Sequence, residues 1–145
     1  MGPAPPDAAI TPGAPAQVTA RVSEALRGAG MRCVERQGAT VCDAENPRLP
    51  TLIAVYADNP PRVALAMPFR LVDSCVDVTP SLNAFNRDYD YITLSCADDR
   101  ALRATGVLLL PNEGMPPAEL ARYAEWWKET TVATLRATRI AELLE

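Results

Sequence analysis

The stretch VALAMPFRL, residues 63–71, decides how this chain folds. Val63, Leu65, Met67, Phe69 and Leu71 recur at every second position, with Ala64, Ala66, Pro68 and Arg70 between them. Successive side chains of a strand point to opposite sides, so a period of two marks a strand with one face on a core. Pro68 has no amide to donate, so the strand is expected to be an edge, or to be bulged or broken there. Upstream, TLIAVYA (51–57) is β-branched and aromatic and reads as a buried strand, and Asp58-Asn59-Pro60-Pro61 turns the chain between the two. Earlier still, residues 31–36 and 39–43 flank Gln37-Gly38. A two-residue loop there pairs Arg36 with Ala39 and Val34 with Val41, and sets Cys33 directly opposite Cys42.

Downstream, Thr79-Pro80 predicts the start of a short helix, Thr as N-cap and Pro at the first helical position, ending near Arg87 or Asp88. Leu82 and Phe85 mark its inner side. In residues 91–97, Ile92, Leu94 and Cys96 alternate with Tyr91, Thr93 and Ser95. Asp98-Asp99-Arg100 turns the chain into a partner strand carrying Leu102, Ala104, Gly106, Leu108 and Leu110. From Pro117 a helix is predicted to run to about Leu144 without a further Pro or Gly, about 40 Å at 1.5 Å per residue. Leu120, Ala124, Trp127, Thr131, Leu135 and Thr138 form its apolar stripe. Ile140, Leu143 and Leu144 are expected to project past the sheet and to need a second subunit or partner to cover them.

Before the first strand, Val18, Val22, Ala25, Leu26 and Ala29 have helical spacing, and Gly28 and Gly30 supply the stop. Residues 1–15 hold five prolines and two glycines and read as a disordered tail, which leaves 16–145 as the domain. The order is helix, four strands, short helix, two strands, long helix. Strands in runs joined by tight turns give an α+β domain, an antiparallel sheet flanked by helices.

Composition excludes several functions. The 145 residues suit one core. There is no histidine, which removes Ser-His-Asp and Cys-His catalysis and His-ligated zinc. Net charge is −4, and the thirteen arginines and Lys128 are spread along the chain, so direct nucleic-acid binding is not expected. No run is long enough to span a bilayer, and the first residues lack the pattern of a secretory signal, so a cytoplasmic address is expected. Cys33, Cys42, Cys75 and Cys96 form no Cys-x-x-Cys pair, and no metal is expected. In the hairpin register the Cα atoms of Cys33 and Cys42 lie about 4.5 Å apart, within disulfide range. Cytoplasmic redox conditions favour free thiols there. Cys96 reads as a small core hydrophobe. Asp88, Asp90, Asp98 and Asp99 lack a calcium-loop pattern and read as turn formers. Trp126 and Trp127 point about 100° apart on a helix. Trp127 is expected inward; Trp126, with Tyr123, lies either at an interface or on its own domain.

Leu82-Asn83-Ala84-Phe85-Asn86-Arg87-Asp88 resembles the leucine-asparagine-x-x-asparagine signature of YbjN-family proteins. In that family the motif sits on the short helix between two groups of strands, with a hairpin and a long C-terminal helix after it. The resemblance spans roughly residues 17–140. The family is similar in fold to the class I chaperones of type III secretion, which are acidic homodimers that bind unfolded segments of client proteins. It therefore implies a bacterial, non-catalytic homodimer with a client protein and no cofactor. The label sensory transduction regulator, used for family members, names no chemistry. The amides of Asn83 and Asn86 are either ligands for a polar substrate or, as preferred here, props for neighbouring backbone. The Pro-rich tail and the long final helix depart from the secretion chaperones. Two other readings remain: a regulatory or stress-response accessory acting through a nucleic-acid-binding partner protein, and a small-ligand protein or carboxylate or thiol enzyme, which would need a concave polar pocket.

Overall fold

A computed structural model describes residues 5–145. The elements are α1 (Pro15–Gly28), β1 (Cys33–Arg36), β2 (Ala39–Cys42), β3 (Leu52–Asp58), β4 (Pro61–Arg70), α2 (Cys75–Asp88), β5 (Thr93–Asp98), β6 (Ala101–Leu109) and α3 (Pro117–Ala137), then a 3₁₀ turn at Arg139–Leu143. The fold is α+β. Six antiparallel strands lie in the order β1-β2-β3-β4-β6-β5.

Alternation places the core. Val63, Leu65 and Met67 of β4, Leu52, Ala54 and Tyr56 of β3, and Leu102, Ala104 and Leu108 of β6 are buried on one face. Gln37 and Gly38 both adopt positive φ, 51° and 77°, as a two-residue hairpin loop requires. The pairs Arg36–Ala39, Val34–Val41 and Cys33–Cys42 follow from it. Pro68 does not interrupt β4. The last β3 pairing is Ile53 with Ala66, so Pro68 lies beyond the ladder on that side.

All helices lie over the buried face. α1 packs on β1, β2 and β3 and against α3, and α2 packs on β5 and the 3₁₀ turn. Buried Ser23 on α1 and Thr40 on β2 share a 2.6 Å hydroxyl hydrogen bond, so neither is left unpaired in the core. Trp127 is fully buried and lies on Gly106, where a Cβ would overlap the indole. Its Nε1 donates to the Tyr91 carbonyl at 2.8 Å.

Four further expectations are corrected. The proline-rich segment is not a free tail over residues 5–14; residues 1–4 of the expected tail lie outside the described residues. Ile10 is buried and exchanges both backbone hydrogen bonds with Met115, and Arg21 donates to the Ala8 carbonyl at 2.6 Å. One isoleucine among the prolines is enough to anchor the segment. Second, α2 begins at Cys75, and Pro80 lies inside it. The carbonyl that Pro80 cannot bond belongs to Val76, whose side chain is exposed, so water can reach that turn. Third, α3 stops at Ala137. The Thr138 hydroxyl donates back to the Leu135 carbonyl at 3.0 Å, and the chain reverses through the 3₁₀ turn. Ile140 is buried, Leu143 and Leu144 pack on the core, and Leu144 bridges Leu71. These three residues shield their own subunit and do not project. Fourth, the cysteines are not free thiols. Cys33 is bonded to Cys42 and Cys75 to Cys96, with Cα separations of 4.0 and 5.9 Å. Cys96 is exposed, not a core side chain.

Candidate protein-binding face

Strand alternation that buries one face must present the other. The outward positions form cross-strand rows. One row runs Val34, Val41, Ile53, Ala66, Thr105, Thr93 across all six strands. The next carries Val55, Ala64 and Val107, and a third Ala57, Arg62 and Leu109. Solvent-facing positions of an antiparallel sheet are normally polar. Here the floor is valine, isoleucine and alanine. Val34, Val55, Val107 and Leu109 are 46, 39, 50 and 63% exposed, four of the nine exposed large apolar side chains among the described residues. Ala64 and Ala66 on central β4 make a shallow trough between the larger side chains of β3 and β6.

Charge on this face is one-sided. Arg36, Arg62, Arg70 and Arg103 occupy outward positions around the apolar floor. Arg70 is 3.4 Å from Glu145. Among the described residues, Arg36, Arg62 and Arg103 have no ion-pair partner. The one acidic outward position is Asp98, at the corner opposite Ala101, where its carboxylate accepts the Arg100 amide. By contrast, the groove between α1 and the start of α3 is lined by Ala25, Ala29 and Ala121 and rimmed by both signs, Arg21 and Glu24, Arg122 and Glu125.

An aromatic corner adjoins the open face. β5 pairs with β6 only as far as Thr93–Thr105, so β6 from Gly106 onward has a strand neighbour on one side only. Trp126, 47% exposed, packs against Tyr91 and Tyr123 with ring centroids 6.0 and 5.7 Å apart. The Tyr123 hydroxyl donates to the Val107 carbonyl on that unpaired edge at 3.2 Å. Burial raises the Tyr123 phenol above its ordinary pKa.

The signature residues serve the other end of the sheet. Leu82 is buried and Asn83 is exposed. Asn86 closes the free edge of β5: its Oδ1 accepts the Leu94 amide at 2.7 Å and its Nδ2 donates to the Leu94 carbonyl at 2.8 Å. With Cys75–Cys96 it fastens α2 along β5 at two points. The motif pair is therefore split, and only Asn86 holds backbone. The aspartates do local work too. Asp98 caps a turn and Asp99 accepts the Ser74 hydroxyl at 2.8 Å. Among the described residues no group of three His, Cys, Asp or Glu is placed to hold a metal, and no helix is long and apolar enough to cross a membrane. All four cysteines are bonded in disulfides, so none offers a thiolate.

Sequence reasoning missed the open face. Its signal was present in Val34, Val55, Val107 and Leu109, apolar residues at positions that alternate with the core set.

A search of solved structures finds YbjN of E. coli, with a TM-score of 0.69 over 95% of this chain and 99% of that one. The chain has the YbjN fold. At 13% identity the likeness extends to the fold alone. YbjN itself is described as a candidate regulator of transcription. No family model matches the sequence, and no curated protein does.

Proposed function

We propose that this chain is a non-catalytic, homodimeric protein-binding domain, a chaperone-like or adaptor module for a client protein. The observation that carries the proposal is the uncovered apolar sheet face. Contiguous exposed apolar surface is retained where a partner covers it, because leaving it in water forgoes about 25 cal/mol for each Å² that burial would remove. Self-association is assigned to the aromatic corner of Tyr91, Tyr123 and Trp126, residue types enriched at interfaces. The projecting helix end no longer supports it, since Ile140, Leu143 and Leu144 cover their own core. The fold likeness supports a binding module over an enzyme.

The two disulfides favour an oxidising compartment over the cytoplasm, where thiols are kept reduced. A second reading, regulation through a nucleic-acid-binding partner, draws on the description given to YbjN. The net charge of −4, with Asp73, Asp77, Asp88 and Asp90 on and beside α2, would suit such a basic partner better than nucleic acid.

Light scattering of the purified chain, alone and with insulin aggregating under agitation without a reductant, which leaves both disulfides intact, tests the proposal. Expected are a particle of twice the 15.6 kDa chain mass and suppression of insulin aggregation at equimolar ratio. Trp126→Glu is expected to yield monomers. A strict monomer removes the dimer; unaltered aggregation counts against the chaperone-like form.

A further inference from the structure

We infer that the open face of the sheet takes an acidic amphipathic helix from a partner protein, laid along the alanine trough of β4 with its carboxylates on Arg36, Arg62 and Arg103. The inference rests on the protein-binding reading and specifies its surface and partner chemistry. Three observations lead to it. The floor is small along its centre, Ala64 and Ala66, with Ile53 and Val55 on one side and Thr105 and Val107 on the other, which suits a convex apolar stripe more than a flat sheet. Arg36, Arg62 and Arg103, which like most of the arginines make no ion pair among the described residues, stand together around that floor in a protein of net charge −4. The opposite face is already covered by helices, so a helix here completes a third layer, a standard way to bury both sides of a sheet.

The arginines also choose between occupants. Two copies meeting through this face would bring like charges together, which penalises a symmetric pair. Single-stranded nucleic acid is bound by stacking on aromatic side chains, and no aromatic occupies an outward position of the six strands. An anionic bilayer is best gripped by large apolar groups that penetrate it, whereas Ala57, Ala64 and Ala66 lie at the level of the sheet. An acidic helix meets every feature: apolar residues at helical spacing for the trough, carboxylates for the rim.

Fluorescence anisotropy with two synthetic amphipathic peptides tests this. They share one leucine stripe and differ in carrying glutamates or lysines on the polar side. The glutamate peptide is expected to bind about tenfold tighter at low salt, with the gap closing as salt rises. Replacing Arg36, Arg62 and Arg103 by glutamate should reverse the preference, and Ala64→Glu should weaken the glutamate peptide about tenfold by placing a carboxylate on the floor. Hydrogen exchange should show protection on β3, β4 and β6. Equal affinities, a lysine preference, binding by neither peptide, or tighter binding to phosphatidylglycerol vesicles or to single-stranded DNA would each overturn the inference. Suppression of insulin aggregation alongside any of those results would leave the protein-binding reading standing and remove only this surface.

Discussion

The two faces of one sheet are built from the same strands yet obey different rules. The covered face holds Leu52, Leu65, Met67, Leu102 and Leu108 under α1 and α3, with Trp127 set against Gly106. The open face holds Val55, Ala64, Val107 and Leu109, ringed by arginines, and no helix lies over it. On the covered side each side chain is held by several neighbours, so the residue types are large and the fit is close. On the open side nothing in this chain requires an apolar residue. Threonine or lysine would serve the strands as well. The difference separates what the fold needs from what a partner needs, and it predicts that substitutions on the two faces will act on different measurements.

The sharpest contrast comes from Trp127. Trp127→Ala should lower stability by about 3–5 kcal/mol, the range for truncating a fully buried large aromatic. It also removes the donor that satisfies the Tyr91 carbonyl. Gly106→Val should destabilise as well, since its side chain enters space the indole occupies. Urea unfolding checks both, with a shifted midpoint at unchanged slope as the expected result. A shift under 1 kcal/mol for Trp127→Ala would break the distinction between the faces.

Much of the covered face is readable from the chain. The alternation of 63–71, the Gln37-Gly38 hairpin with its Cys33–Cys42 register, and the inward Trp127 depend on local periodicity and turn chemistry. The end of α3 does not. It lacks a Gly or Pro, and the stop is made by a threonine hydroxyl bonding back to Leu135 while Ile140 enters the core, a tertiary effect that overrides helix propensity. The Cys75–Cys96 bridge joins residues 21 apart in separate elements, beyond what spacing can indicate. The anchoring of Ile10 depends on Met115, more than a hundred positions away. The open face is hidden for another reason: its residues are apolar like the core's, and the packing of the helices, not the pattern, decides which set is covered.

The sheet's edges extend the comparison. The β5 edge is closed by α2 through Cys75–Cys96 and through Asn86, whereas β1 is capped on its outer side by Arg27, whose Nε donates to the Cys33 carbonyl at 2.9 Å. Replacing both Cys75 and Cys96 by serine should cost about 3 kcal/mol, the loop-entropy value for a ring of this size. Asn86→Ala should cost about 1–3 kcal/mol, because it leaves the Leu94 amide and carbonyl without their partner. The Leu94 amide should then lose hydrogen-exchange protection while core amides keep theirs. Unchanged protection at Leu94 would show that the amide pair does not seal the edge. Thiol labelling of the isolated protein under denaturing conditions belongs to the same test: no reactive thiols are expected before reduction.

The smallest effect on stability is the one that most directly tests the open face. Leu109 is 63% exposed and Val107 is 50% exposed, and their loss removes little from the buried core. Leu109→Ser with Val107→Thr should therefore change unfolding free energy by no more than about 0.5 kcal/mol, the usual size for surface substitutions. Threonine keeps the β-branched shape that a strand favours, so β6 retains its pairing with β4. The pair should nonetheless reduce suppression of insulin aggregation, because the apolar area available to a client shrinks. Stability unchanged with capture weakened is the signature of residues kept for a partner. Stability lost by 2 kcal/mol or more would mean that these side chains belong to the fold, and the distinction between a face built for packing and a face built for binding would fail.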